Sequence, residues 1–147
     1  LTIRQLLSSI AHASLADGCI LLQNNHQTRD IRVKTYVSIG YGYSGNLGLT
    51  ELFPITRCAD ETRSKPHPQM LEEILTDFNA KPSDALMIGD SEYDLLMANN
   101  LKMDALAVSY GVHSLQRLLQ YQPRGYVHSV ADIPQWLTQI MENKDKQ

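Results

Sequence analysis

The segment at residues 89–94, Gly-Asp-Ser-Glu-Tyr-Asp, follows directly after an apolar run at residues 85–88, Ala-Leu-Met-Ile. In an open α/β sheet, ligands bind at the carboxyl ends of the strands, so polar side chains in this position are candidates for a functional site. Gly89 allows the backbone to turn sharply, and Asp90 projects from the strand end. Asp94 follows where the next helix starts and returns to the same rim. The spacing therefore predicts that Asp90 and Asp94 converge.

Two converging carboxylates repel each other unless a cation lies between them. A pair that offers only oxygen ligands suits magnesium, so we predict that Asp90 and Asp94 bind Mg²⁺. Asp94 also has a simpler interpretation, because an acidic side chain in the first turn of a helix is stabilised by the helix dipole.

Lys65 lies in the segment at residues 64–68, Ser-Lys-Pro-His-Pro, just before a predicted helix. The two prolines restrict the backbone and therefore fix the direction of the lysine side chain. An exposed lysine is usually only a solvated charge, but one held at the mouth of a parallel sheet can neutralise a carboxylate or a phosphate oxygen. We therefore predict that Lys65 and Asp90 face each other across one site.

The two motifs stand in a fixed order, with Lys65 placed 25 positions before Asp90. Together with the longer stretch at residues 56–68, Thr-Arg-Cys-Ala-Asp-Glu-Thr-Arg-Ser-Lys-Pro-His-Pro, they resemble the third and fourth motifs of the haloacid dehalogenase superfamily. The resemblance is to the phosphoglycolate-phosphatase-like branch in particular, and it extends over residues 48–136.

The resemblance implies a magnesium-dependent phosphatase that acts on a small phosphate ester. In that family pattern, Lys65 orients the nucleophile and steadies the phosphoryl group, Asp90 binds the metal, and Asp94 supports the metal directly or through water. Lys65 and Ser91 are then the residues expected to contact the substrate.

The sequence departs from the family pattern in its first part. The family has an Asp-x-Asp-Gly-Thr motif near its N-terminus, whereas no Asp-x-Asp occurs before Lys65. The segment most similar to this motif contains Asp17, which is followed by Gly18. Leu15 occupies the position of the nucleophile in that segment, and we interpret Asp17 as a turn residue. Ser38 is a candidate for the hydroxyl residue of the second motif, but the glycine-rich run at residues 40–46 begins where the family usually places a helix.

Two hypotheses about function follow from this departure. The first is a phosphatase by family that is inactive as this chain, because the nucleophilic aspartate motif is missing. The second is a non-catalytic protein, either a truncated or frame-disrupted remnant or a phosphate- or metal-binding module. A phosphate-accepting receiver domain is a third reading, and the order of the motifs argues against it, since a receiver presents its acidic residues before its lysine.

Two histidines are weaker candidates. His67 lies between the prolines, and His113 lies just after the predicted strand end at Tyr110 and Gly111. For both, a simple turn residue is the favoured interpretation over a residue that lines the site entrance.

The remaining pattern predicts the elements that position these residues. Apolar periodicity predicts helices at residues 68–78, 94–101, 114–120 and 132–141, and strands at residues 53–58, 85–88, 105–108 and 126–127. Alternation of strands with helices indicates an α/β fold with a doubly wound parallel sheet, incomplete at its N-terminal side and without a cap domain. Residues 19–22 are a further possible short buried strand.

The regularity of the apolar pattern divides the chain into an atypical N-terminal segment at residues 1–46, a hydrolase-like core at 47–142 and a polar tail at 143–147.

The net charge is −3 with no long basic run, so the sequence gives no basis for nucleic-acid binding. No apolar stretch approaches the roughly 20 residues of a membrane span. Cys19 and Cys58 form no paired motif, and we expect a cytoplasmic protein. The oligomeric state is left open.

Overall fold

The computed structural model describes residues 20–21, 23–24, 31–32, 57 and 61–144. In chain order its elements are β1 Ile20–Leu21, β2 Gln23–Asn24, β3 Ile31–Arg32, α1 Gln69–Asp77, β4 Leu86–Gly89, α2 Glu92–Asn100, β5 Asp104–Val108, α3 Leu115–Leu119, β6 Gly125–Val127 and α4 Ile133–Lys144. Short 3-10 turns precede β4 and α4, at Pro82–Asp84 and Val130–Asp132.

Four strands form one sheet in the order β1-β4-β5-β6. β4, β5 and β6 are parallel neighbours, with Gly89 opposite Ala107 and Val108 opposite Val127. The predicted parallel sheet is therefore confirmed, as is the α/β class. β1 pairs antiparallel with β4. It covers the edge of β4 that faces away from β5. β2 and β3 form a separate antiparallel pair.

The central strands are buried on both faces, which explains why they are continuous apolar runs in the sequence. Every residue of β4 is buried, and so are the last four residues of β5. One face packs under α1, α2 and α3 in a single apolar cluster, whose buried members are Met70, Leu71, Ile74, Leu75, Ala85, Met87, Leu95, Met97, Ala98, Met103, Ala105, Ala107 and Leu118. Gly125 of β6 lies against the indole of Trp136, which places α4 beside the edge of the sheet.

Most predicted boundaries agree with the structure to within one or two residues. The main exception at the site is α2, which begins at Glu92 and not at Asp94, because Ser91 caps the helix. At the other end of the chain, α4 continues to Lys144, so the first two residues of the predicted polar tail are helical. The possible strand at residues 19–22 is present as Ile20–Leu21.

Several predictions fall outside the described residues. These are the glycine-rich segment at 40–46, the strand at 53–58 apart from residue 57, the boundary between residues 46 and 47, and the candidates Asp17 and Ser38. Among the helices of the described part, none combines the length and the apolar character that crossing a bilayer requires.

Candidate functional site

Three predicted site residues lie at the carboxyl edge of the parallel sheet. Asp90 directly follows β4, Asp94 lies in the first turn of α2, and Lys65 belongs to the turn before α1. The two acids are almost fully buried, with 2% of Asp90 and 1% of Asp94 exposed. Burying a charge is costly unless it is paired or hydrogen-bonded, so the partners of these acids determine what the site can do.

Asp94 is held on both of its carboxylate oxygens. Its Oδ1 lies 2.7 Å from Lys65 Nζ, and this ion pair joins the turn before α1 to the start of α2. Its Oδ2 accepts hydrogen bonds from Ser91 Oγ at 2.7 Å and from the Ser91 backbone amide at 3.2 Å. Ser91 Oγ in turn accepts from the Asp94 backbone amide at 3.3 Å, which completes a reciprocal capping box. Asp94 is thus both a helix-capping acid and the partner of Lys65.

Asp90 is held by backbone groups of the loop that follows β5. Its Oδ2 accepts a hydrogen bond from the Val112 amide at 3.0 Å, and its carbonyl accepts one from the His113 amide at 3.1 Å. Burial raises the pKa of Asp90, and the nearby Asp94 carboxylate raises it further. The Val112 hydrogen bond and the charge of Lys65 oppose this rise. The net effect is a carboxyl group that keeps its proton to a higher pH than an exposed aspartate.

Two glycines let the backbone approach these acids closely. A Cβ atom on Gly89 would lie 2.9 Å from Asp94 Cγ, and one on Gly111 would lie 2.5 Å from Asp90 Cγ. Gly89 is the last residue of β4, and no left-handed φ is recorded for it. Gly89 therefore allows close packing against Asp94, directly before the bend at residues 90–91.

The loop after β5 supplies residues that sequence reasoning missed. Tyr110, Gly111 and Val112 lie close to Asp90, whereas the sequence analysis used only Tyr110 and Gly111, as a strand end. Partial burial, with a contribution from Asp90, raises the pKa of Tyr110 to about 12, so its hydroxyl stays protonated. The one available signal was a glycine directly after a buried parallel strand, at the edge where ligands bind.

Both histidines accept a hydrogen bond from a backbone amide. His113 Nδ1 accepts from the Glu92 amide at 3.0 Å, so it ties the loop after β5 to the first residue of α2. His67 Nδ1 accepts from the Gln69 amide at 3.1 Å at the start of α1. The contact of His67 agrees with its interpretation as a turn residue, whereas His113 joins two segments that are 21 positions apart. The Lys65–Pro66 peptide bond next to His67 is cis.

The described residues do not fit a magnesium site as they stand. Asp94 gives one oxygen to Lys65 and the other to Ser91, so of the predicted pair only Asp90 remains placed to offer an oxygen. Magnesium requires a near-octahedral set of oxygen ligands. Within the part of the chain that the structure describes, no group of three or more His, Cys, Asp or Glu side chains is arranged to hold a metal ion.

Comparison with known proteins finds similarity over the segment that contains this site. The model of the HAD-hydrolase-like family matches residues 62–133, a segment that contains Lys65, Asp90 and Asp94. Pyrophosphatase PpaX of Anoxybacillus flavithermus is 29% identical over 91 residues, which are 59% of this chain and 42% of that protein. A probable phosphatase, IndB of Dickeya dadantii, is 26% identical over 120 residues, 81% of this chain and 52% of that protein. The chain thus spans about half the length, or less, of these curated relatives.

Solved structures show the same fold. A putative phosphoglycolate phosphatase from Lactobacillus delbrueckii is 27% identical with a TM-score of 0.52, covering 58% of this chain and 38% of that chain. A haloacid dehalogenase-like protein from Streptococcus pneumoniae has a TM-score of 0.64 at 20% identity, covering 92% of this chain and 58% of that chain. Residues 62–133 are therefore similar to the HAD-hydrolase-like family, and the solved structures share the fold of this segment.

Proposed function

We propose that residues 62–133 supply the lysine-and-acid half of a phosphatase site, and that the ligand is a small phosphate ester. The observation that carries this proposal is the 2.7 Å ion pair between Lys65 Nζ and Asp94 Oδ1 at the carboxyl edge of the sheet, next to the buried Asp90. It is supported by relatives whose names are pyrophosphatase and probable phosphatase.

Lys65 is the residue through which a phosphate group would bind. An ammonium group carries three N–H donors, and a ligand oxygen can join Asp94 around the same nitrogen. Phosphate oxygens are strong acceptors, and a hydrogen bond between charged partners is about twice as strong as a neutral one. Asp90 modulates this binding, because an ionised Asp90 repels phosphate whereas a protonated Asp90 can donate a hydrogen bond to it. Ser91, which uses its hydroxyl in the capping box, remains a predicted second contact.

We further propose that this 147-residue chain binds phosphate without hydrolysing its esters. Phosphate monoesters are among the slowest substrates to hydrolyse in water, and enzymes accelerate the reaction by up to ~10²¹-fold. Covalent catalysis needs a positioned nucleophile, and no Asp-x-Asp precedes Lys65 in this sequence. Neither Lys65 nor Asp90 replaces that group. The second hypothesis, a non-catalytic phosphate-binding module, is therefore the form of the function proposed for this polypeptide alone.

Magnesium binding by this chain is proposed to be weak. Mg²⁺ dehydrates reluctantly, and the ion would have to displace Lys65 or Ser91 to gain an oxygen of Asp94. We also propose a cytoplasmic location, because Cys19 and Cys58 form no paired motif. We propose a small-molecule partner, as opposed to a nucleic acid or a membrane, because the net charge is −3 and the cationic residues form no long run.

A calorimetric titration with inorganic phosphate tests the proposal. The wild-type chain is compared with Lys65→Met and with Lys102→Met, a matched control at the amino end of β5, the opposite edge of the sheet. We expect Lys65→Met to weaken phosphate binding at least tenfold and Lys102→Met to leave it unchanged. Equal binding in the wild type and in Lys65→Met would overturn the proposal.

A double variant distinguishes a loss of phosphate binding from a loss of folding. Lys65→Met leaves the buried Asp94 without its ion-pair partner, so the single variant is destabilised. Lys65→Met combined with Asp94→Asn removes both charges and keeps an acceptor for Ser91. Circular dichroism checks that it folds. This double variant is also expected to bind phosphate at least tenfold more weakly than the wild type.

A further inference from the structure

His113 lies between the two segments that carry the acidic residues of the site. Its backbone amide donates to the Asp90 carbonyl at 3.1 Å, and its Nδ1 accepts from the Glu92 amide at 3.0 Å. The first hydrogen bond joins the loop after β5 to the end of β4, and the second joins this loop to the first residue of α2. His113 therefore connects the strand end that carries Asp90 with the helix that carries Asp94.

The residues directly before His113 lie against the carboxyl group of Asp90. The Val112 amide donates to Asp90 Oδ2 at 3.0 Å, and Gly111 packs against the same group. Val112 is the residue next to His113 in the chain, so the position of its amide depends on where His113 is held. A contact made by the His113 ring is therefore transmitted to Asp90 through the backbone of the loop.

The residue that His113 contacts is itself anchored. The Glu92 carboxylate accepts from Arg117 Nε at 2.7 Å and from the Tyr121 hydroxyl at 3.2 Å, and a second Arg117 nitrogen contacts its other oxygen. Arg117 belongs to α3, and Tyr121 lies in the turn after it. The ring of Tyr93 also lies close to that of His113, with ring centroids 5.9 Å apart. The Glu92 amide is therefore a fixed point to which the loop can be attached.

We propose that His113 is a positioning residue for phosphate binding. Through Nδ1 it holds the loop at residues 110–112 where the Val112 amide meets Asp90. This inference rests on the proposed function, because it assumes that phosphate binds beside Lys65 and Asp90. A site whose groups are already held in place loses less conformational entropy when the ligand binds, so its affinity is higher. Without the ring contact, part of the binding free energy is spent on ordering the loop.

The position of the accepting atom makes this inference specific. A ring nitrogen that accepts a hydrogen bond carries no proton, so the ring proton of His113 is on Nε2 in this contact. Asparagine has an acceptor oxygen at the same number of bonds from Cα as Nδ1, whereas glutamine has its oxygen one bond further out. Asparagine can therefore replace the contact with the Glu92 amide, and glutamine of similar polarity cannot.

Amide hydrogen exchange followed by NMR tests whether the ring holds the loop. In His113→Leu and in His113→Gln, we expect the Val112 amide to exchange at least tenfold faster than in the wild type, because the loop opens more often. In His113→Asn, we expect a rate within threefold of the wild type. The nitrogen NMR signals of the wild-type ring should show a proton on Nε2 and none on Nδ1. Equal Val112 exchange in all four proteins, or a proton on Nδ1, would overturn the inference.

Calorimetry with inorganic phosphate tests the link to binding. We expect the Kd to rise at least threefold in His113→Leu and in His113→Gln, and to stay within twofold of the wild type in His113→Asn. His128→Leu is the control, because it makes the same change at an exposed histidine after β6 whose ring contacts Ser109 Oγ. It should alter neither the Kd nor the exchange of the Val112 amide. Faster exchange in His113→Leu and His113→Gln with an unchanged Kd would contradict the positioning role.

The outcomes separate the two proposals. Phosphate binding that requires Lys65 but is equal in the wild type, His113→Leu and His113→Gln removes this inference and leaves the proposed function intact. A wild-type chain that does not bind phosphate removes both. His113 is half-buried, and circular dichroism of each variant verifies its fold before the measurements.

Discussion

Asp90 and Asp94 are both almost fully buried, but they meet different partners. Asp94 contacts the ammonium group of Lys65 directly, whereas the hydrogen bond recorded for the side chain of Asp90 comes from the Val112 amide. A backbone amide offsets less of the cost of burying a charge than an ion pair with further hydrogen bonds does. Burial therefore raises the pKa of Asp90, and this acid lowers the stability of the fold when it is ionised.

The first prediction concerns Asp90→Asn. The folded state keeps the Asp90 proton to a higher pH than the unfolded chain does, so between the two pKa values the free energy of unfolding decreases as the pH rises. At pH values above the pKa of Asp90 in the folded state, the loss of unfolding free energy caused by its ionisation no longer changes with pH. Asparagine is neutral and still accepts from Val112. The variant should melt a few degrees above the wild type at pH 7, and the difference should shrink as the pH falls towards 4.

Thermal melts at three pH values check this expectation. Asp104→Asn is the control, because Asp104 is exposed and pairs with Arg124 at 2.6 Å, so its loss costs at most about 1 kcal/mol. An Asp90→Asn variant that melts below the wild type at pH 7 would show that the charged form of Asp90 stabilises the fold.

The second prediction concerns the close approach of Gly111 to Asp90. A methyl group at this position would lie 2.5 Å from Asp90 Cγ, so the loop or the acid must move. Gly111→Ala should lower the free energy of unfolding by about 1–3 kcal/mol. The neighbouring Val112→Ala, at a side chain that is 62% exposed, should change it by less than about 0.5 kcal/mol. Chemical denaturation compares the two, and equal effects would contradict the packing role of Gly111.

At the scale of secondary-structure elements, the sequence predicted the strands and helices whose apolar pattern is set by burial. The strands β4 and β5 and the helix α1 were predicted to within one residue, because the apolar pattern of each reports which of its faces are covered. The start of α2 was placed two residues late. The reason is that Ser91 and Asp94 were interpreted as site residues, whereas the structure also uses them as the reciprocal cap of the helix.

The parts of the site that could not be predicted depend on contacts between distant positions. Val112 reaches Asp90 across 22 positions, and His113 reaches Glu92 across 21, and no local pattern encodes either hydrogen bond. The same holds for the antiparallel pairing of β1 with β4, since a strand of two residues carries too little periodicity to set its direction. The motif order did predict that Lys65 and the two acids share one edge of the sheet.

The third prediction tests the central strand. Ile88 is 1% exposed in β4, between β1 and β5, and its side chain lies on the face opposite to that of Met87. Ile88→Ala should lower the free energy of unfolding by about 2–5 kcal/mol, through lost burial and the cavity it leaves. Leu86→Ala should act in the same direction. Leu119→Ala in α3, at an exposed position, is the control, and a denaturation midpoint that Ile88→Ala leaves unchanged would contradict the strand assignment.

At the scale of the whole molecule, the similarity to known phosphatases covers only part of the chain and only part of each relative. The matched segment at residues 62–133 holds Lys65, Asp90 and Asp94, while the chain spans only 42% and 52% of the lengths of the two relatives described above. The structure joins the residues of this segment into one packed unit around β4 and β5. The edge of the sheet at which we propose phosphate binding is therefore packed within this segment.

The last prediction is that the purified 147-residue chain shows no magnesium-dependent phosphatase turnover. Without a positioned nucleophile, Lys65 and Asp90 can bind a phosphate group but cannot open the covalent route that makes its hydrolysis fast. The assay uses p-nitrophenyl phosphate and phosphoglycolate over a range of Mg²⁺ concentrations. Activity that is equal in the wild type and in Asp90→Asn comes from a contaminating phosphatase. Wild-type turnover at the roughly 1–10³ s⁻¹ typical of enzymes, abolished by both Asp90→Asn and Asp17→Asn, would contradict the prediction and identify Asp17 as the nucleophile.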